Sequence, residues 1–196
     1  AQPYIDLINM RYQFFPGVQY KSDTGKMILN EYGCSLTLPI QFKNKNAIIT
    51  GGTFDKLDFT KSESSIRSSL YGITLQLGYL SYFKKEKWKI LVVALPKLSN
   101  DAVILNRNSY QQGGVIIVTN QRRKNLAYKF GLYYNTEFFG NFFMPLIGLE
   151  WNPKERINVF GVFPSSMNIE YKLSKKWYTG LSYYNLTQSY RINKTN

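Results

Sequence analysis

The chemistry open to this chain is limited first by the residues it lacks. It has no histidine and a single cysteine, Cys34. Ser-His and Cys-His nucleophile arrangements and a Cys-based zinc site therefore have no residues to build them. Asp23-Thr24-Gly25 matches the tripeptide of aspartic proteases, but it sits in a polar loop where Asp-Thr-Gly is ordinary turn chemistry. Asn185-Leu186-Thr187 and Asn193-Lys194-Thr195 fit the glycosylation acceptor rule, which carries meaning only in a suitable secretory pathway. No phosphate loop, dinucleotide fingerprint or calcium loop occurs. What remains is a set of charges at alternate positions of apolar stretches: Arg11, Glu31, Lys129, Glu137, Glu150, Glu170 and Lys172. Charges so placed share one face of a sheet. Paired charges bridging a wall and a selectivity lining are the two roles open to them. The expectation is no enzyme, no cofactor and no metal.

The stretch Leu126–Trp151 shows what positions such charges. Leu126, Tyr128, Phe130, Leu132, Tyr134, Thr136 and Phe138 alternate with Ala127, Lys129, Gly131, Tyr133, Asn135 and Glu137. A period of two with one aromatic face and one small or polar face is a strand. Gly140-Asn141 is the expected reversal, and Phe143, Pro145, Ile147, Leu149 and Trp151 carry the apolar face of a return strand against Met144, Gly148 and Glu150. Such strands exceed the ~5–6 residues usual in globular sheets and approach the ~9–11 that a tilted strand needs to cross a bilayer.

The pattern repeats along the chain. Further strands are expected at 5–15, 28–42, 47–59, 70–83, 88–98, 115–119, 157–163, 167–173 and 177–186, and a segment through Tyr190 and Ile192 is a candidate twelfth. Pro16-Gly17 is expected to stop the first strand. Strand five is almost uniformly apolar, so its facing is not readable from periodicity. Every second connection is a short basic turn, at 43–46, 84–87, 120–125, 152–156 and 174–176. The connections between them, 16–26, 60–69 and 99–112 among them, are mostly longer. Trp88, Trp151 and Trp177 are all the tryptophans and flank the basic turns, as an interfacial belt would.

The 196 residues suit one domain, 1–196, with no linker or shift of composition. No apolar run reaches the ~18–20 residues of a membrane helix. The opening Ala1-Gln2 reads as the trimmed product of export. Lone Cys34 on an apolar strand face is expected simply to pack. The net charge of +13 raises a nucleic-acid reading, but its concentration in short turns argues against that partner.

Gly131-Leu132-Tyr133-Tyr134, Phe139-Gly140-Asn141, the run Pro145 to Trp151 and the segment Pro164 to Tyr171 resemble uncharacterised outer-membrane β-barrel proteins of bacteroidete-type bacteria. The resemblance covers most of the second half and, more loosely, the first. It implies location and fold, and no reaction. The ending Lys194-Thr195-Asn196 departs from the aromatic terminus common in such barrels. A different closure and a chain that stops short of its terminus are both open.

The expected fold is all-β, an antiparallel up-and-down transmembrane β-barrel of about 10–12 strands. The expected function is that of a non-enzymatic integral protein of the bacterial outer membrane, a small pore or an accessory subunit of a larger complex. Its partners would be outer-membrane lipid and lipopolysaccharide, with other outer-membrane proteins as candidates. The alternative is a soluble exported β-barrel binding lipid or anionic glycan.

Overall fold

Alternation of apolar and polar residues, renewed after each turn, builds one antiparallel sheet. In the computed structural model the described residues are 6–19, 26–61, 67–84, 87–101, 109–185 and 189–190. The Asp23-Thr24-Gly25 and Asn193-Lys194-Thr195 motifs, and Ile192, lie outside them. Thirteen strands are formed among the described residues: β1 (Ile8–Gln19), β2 (Lys26–Gln41), β3 (Ala47–Lys61), β4 (Arg67–Phe83), β5 (Trp88–Ala94), β6 (Lys97–Asn100), β7 (Tyr110–Gln111), β8 (Gly113–Arg123), β9 (Leu126–Glu137), β10 (Gly140–Lys154), β11 (Ile157–Phe163), β12 (Ser166–Lys172) and β13 (Tyr178–Tyr184). The hydrogen-bonded path is β1-β2-β3-β4-β5-β8-β9-β10-β11-β12-β13, with β6 between β4 and β7.

Two of the thirteen are continuations. Leu77↔Ala94 and Thr74↔Lys97 have the same register, so β5 and β6 are one pass interrupted only at Leu95-Pro96. The β7 and β8 segments continue each other in the same way opposite it, through Leu98↔Tyr110 and Ala94↔Gly114. The expected loop 99–112 is therefore partly strand. The expected stop at Pro16-Gly17 is a bulge instead: β1 runs on to Gln19, with a register shift between Phe15 and Val18 and Gly17 at φ 56. In the central hairpin the reversal is at Phe138-Phe139, because Glu137 pairs with Gly140 and Gly140-Asn141 already belong to β10.

The two faces are opposite in character. Tyr128, Phe130 and Leu132 point outward and exposed, while Ala127, Asn135 and Glu137 of the same strand are buried. Register extends this inner face across the sheet, placing Lys89, Leu91 and Val93 inward and Ile90 and Val92 outward, which resolves strand five. Cys34 shares the outer face with its partners Met10 and Phe54 and is exposed, so it fills no core. The first and last strands are not joined by hydrogen bonds. Both nonetheless line one cavity of about 1000 Å³, bordered by Asn9, Arg11 and Glu31 on one side and Ser166 and Tyr184 on the other. The sheet thus curls its polar face inward.

Close approach of strands depends on small inward residues. A Cβ on Gly131 would lie 2.4 Å from the Ile116 carbonyl oxygen. Gly131→Val should therefore cost about 1–3 kcal/mol, read as a lowered midpoint in equilibrium unfolding by urea.

Candidate functional site: the charged inner face

Three groups of polar side chains occupy the inner face. The first joins β1, β2 and β3. Arg11 Nη2 donates to Glu31 Oε1 at 2.5 Å and to Asp55 Oδ1 at 3.1 Å, and Asp55 is 3% exposed. Its geometry follows from the row Arg11↔Gly33↔Asp55, in which Gly33 presents no side chain. A Cβ there would stand 3.2 Å from Arg11 Nη2 and 3.1 Å from Asp55 Oδ1, so the glycine is the gap through which the guanidinium crosses β2. A hairpin with Phe15 opposite Met27 would make Arg11 and Glu31 direct cross-strand partners; the two do meet, but diagonally. Phe15 pairs with Leu29 rather than Met27, a shift of two that preserves facing.

The second group lies nearer the basic turns. Lys129 Nζ is 2.8 Å and Lys89 Nζ 3.6 Å from the Glu150 carboxylate. Lys89, Thr119, Lys129 and Gly148 form one inward row, with Glu150 one step along β10.

The third group surrounds Glu137. Gln111 Nε2 donates to Glu137 Oε2 at 2.9 Å and Asn135 Nδ2 to Oε1 at 2.5 Å. The Ser189 hydroxyl donates to the same carboxylate, while accepting from Gln111 Nε2 and from the Phe138 N–H, each at 3.1 Å. Lys97, buried, lies in the fields of Glu137 and Asp55 and has its Nζ 5.5 Å from the centre of the Tyr190 ring. Ser189 and Tyr190 thus cross the inner face, and the twelfth strand expected through Tyr190 is not formed there.

Glu170 and Lys172 share the inward side of β12, where Lys172 lies over the Tyr178 ring at 5.9 Å. Trp88 stacks on Phe83 with ring centres 6.4 Å apart, and Trp151 and Trp177 are exposed; all three stand at the basic-turn end of the sheet. Sequence reasoning missed Asp55, Lys89, Lys97 and Gln111. Lys89 and Lys97 are the two charges of the apolar run 88–98, whose facing periodicity does not reveal, and Asp55 is one of the charges in a weakly alternating strand. Gln111 was hidden by the loop assignment around it.

The family model described as Domain of unknown function (DUF6268) matches residues 12–196. The chain belongs to that family. No curated protein and no solved structure matches it. The DUF6268 match takes in every charged inner-face residue named above except Arg11, which stands one position before its start.

The Arg11 bracket yields a definite expectation. Arg11→Met leaves Glu31 and Asp55 facing each other without a cation, so it should destabilise by about 1–3 kcal/mol, discounted for the partly exposed guanidinium. Adding Asp55→Asn should restore part of that loss. Exchanging Arg11 and Glu31 should rescue only incompletely, because a Glu at 11 meets Asp55. Urea unfolding of these variants reads all three, and strict additivity would remove the coupling.

Proposed function

We propose that this DUF6268 protein is a non-enzymatic, integral β-barrel protein of the bacterial outer membrane, whose interior is a narrow pore held shut or filled by its own side chains. The observation that carries the reading is inverted polarity. Among the described residues the buried set holds eleven polar or charged side chains against five hydrophobic ones, while Met10 (79% exposed), Leu77 (62%), Ile147 (63%) and Leu181 (77%) stand outside. A water-facing sheet has the reverse arrangement, and exposed apolar area on this scale needs a cover.

The outer face also has the banding that a bilayer rewards. Tyr12, Tyr32, Lys56 and Tyr71 form one outward row toward the longer loops, with Lys56 Nζ 5.9 Å from the Tyr32 ring centre and 2.9 Å from Asp58 Oδ2. Toward the basic turns stand Tyr79, Phe83 and Trp88. From Lys56 to Ile48, the partner of Tyr79, β3 spans ~27 Å at ~3.4 Å per residue, and ~20 Å once tilted by ~40°. That fits an apolar band of ~25 Å between aromatic girdles. The resemblance to bacteroidete-type outer-membrane barrels points the same way.

The ten inner-face charges named above comprise five cations (Arg11, Lys89, Lys97, Lys129, Lys172) and five anions (Glu31, Asp55, Glu137, Glu150, Glu170). A balanced interior suits bridging of the wall better than ion selection. Outer-membrane lipid and lipopolysaccharide are the partners of the outer face, with other outer-membrane proteins as candidates for a shared complex.

The reading is tested by extraction: washed membranes should release the protein only with detergent. Release by salt would favour a soluble exported barrel that binds lipid or anionic glycan. Leu132→Arg should cost ~2–4 kcal/mol if it faces the bilayer midplane, measured by unfolding from lipid vesicles; a tolerated Arg would reject this facing.

Short turns of outer-membrane barrels lie on the periplasmic side and longer loops outside. In a Cys34→Ser background, cysteines at Phe139 and Ser165 should react with an impermeant thiol label on intact cells, and cysteines at Lys45 and Lys175 should not. The opposite pattern would reverse the orientation.

A further inference from the structure

We propose that Ser189 and Tyr190 form an internal latch, which closes the longer-loop half of the inner face by occupying a site built for it. The latch rests on the barrel reading only for what lies beyond the closure.

The site is polar and, with Ser189 and Tyr190 in place, deeply buried. Ser99 and Ser109 have no exposed surface, Gln111 is 1% exposed and Asn135 3%. These residues come from β6, from β7 with the turn leading into it, and from β9, so three separate chain segments converge on one point. Ser189 is held there by three hydrogen bonds, to Glu137, Gln111 and the Phe138 N–H. The Phe138 bond also ties it to the tip of the β9–β10 turn. A serine hydroxyl that donates once and accepts twice has used its full capacity, which is the mark of a fitted position rather than a passing contact.

Tyr190 completes the closure. Its ring covers Gly72, where an added Cβ would be 3.6 Å from both Cε1 and the hydroxyl oxygen, and it faces the Lys97 ammonium. Gly72 pairs directly with Ser99, so the ring lies over the row that contains the fully buried Ser99. It also borders the cavity beside Arg11 and Glu31. The two residues thus join the Glu137 group to the Arg11 group. Every contact named is polar, aromatic-cation or a ring over a glycine. Water and a hydrated solute can replace such contacts, as they could not replace an apolar plug.

Thiol accessibility tests this. In the full chain with Cys34→Ser, purified in detergent, Ser99→Cys should react slowly with a small water-soluble maleimide, while Lys175→Cys in the exposed turn after β12 serves as reference. Adding Ser189→Ala and Tyr190→Ala should raise the Ser99→Cys rate at least tenfold and leave the Lys175→Cys rate unchanged. Tyr190→Phe keeps the ring over Gly72 and Lys97 and should stay slow. An unchanged Ser99→Cys rate in the double variant overturns the latch, as does a parent rate equal to the reference. A rise at both cysteines would mean general loosening and also overturns it. Membrane extraction is read separately: release by salt would reject the barrel reading in the membrane, while labelling still decides the latch.

Discussion

Charge neutralisation inside a confined sheet is the constraint on which the rest of this molecule depends. Once the aromatic side of each strand faces out, period two sends every intervening residue inward, and the inner residues include five cations and five anions. A buried charge without a counter-charge costs several kcal/mol, so register is selected by where the charges meet. The Arg11 bracket shows how local this selection is. It needs an Arg on β1, carboxylates on β2 and β3, and a glycine between them with no side chain in the way. The Glu150 group solves the same problem with two lysines, Lys89 and Lys129.

The path has eleven members, all antiparallel to their neighbours, so β1 and β13 run in the same direction. An antiparallel ladder between them is therefore excluded for these eleven, whereas single-chain bacterial barrels have an even number of strands. The cavity between the ends of the sheet is bordered by Arg11, Glu31, Ser166, Tyr184 and Tyr190, all capable of hydrogen bonding. The two most exposed large apolar side chains, Met10 and Leu181, belong to the two end strands β1 and β13, as expected of strands with a neighbour on one side only.

Much of this was legible in the sequence wherever side-chain alternation was clean. In the β9–β10 hairpin the outward Tyr128, Phe130 and Leu132 and the inward Lys129, Gly131 and Asn135 follow directly from period two, because one hydrophobic pattern is compatible with one facing. Register was less legible. The bulge at Pro16-Gly17 adds one residue to β1 between Phe15↔Leu29 and Val18↔Met27, which the alternation up to Phe15 does not reveal, so Arg11 and Glu31 could be placed on one face but not in their true diagonal relation. The polar residues from Ser99 onward resembled a loop, since the ladder there is sustained by β4 and by the β6–β7 pairing rather than by local preference. The role of Ser189 had no local signal at all: its partners are 52 and 78 residues away in the chain.

The distribution of charge separates what holds the fold from what meets its surroundings. The ten inner charges cancel, so together they contribute nothing to the net charge of +13. A large part of it sits in the turns that follow β2, β4, β8, β10 and β12, where Lys43, Lys45, Lys84, Lys87, Lys124, Arg156, Lys175 and Lys176 stand beside Trp88, Trp151 and Trp177. Placed in those turns, the cations cost no desolvation and repel one another only weakly across water. A rim that pairs lysine with indole suits an anionic interface, the lysines answering headgroup charge and the rings occupying the headgroup layer. The same number of cations on the inner face would have required an equal number of added carboxylates, and the curled interior has room for few. Concentrating the excess at one rim therefore suits the interior's demand for neutrality and, in the proposed membrane setting, favours one end of the sheet for the anionic surface.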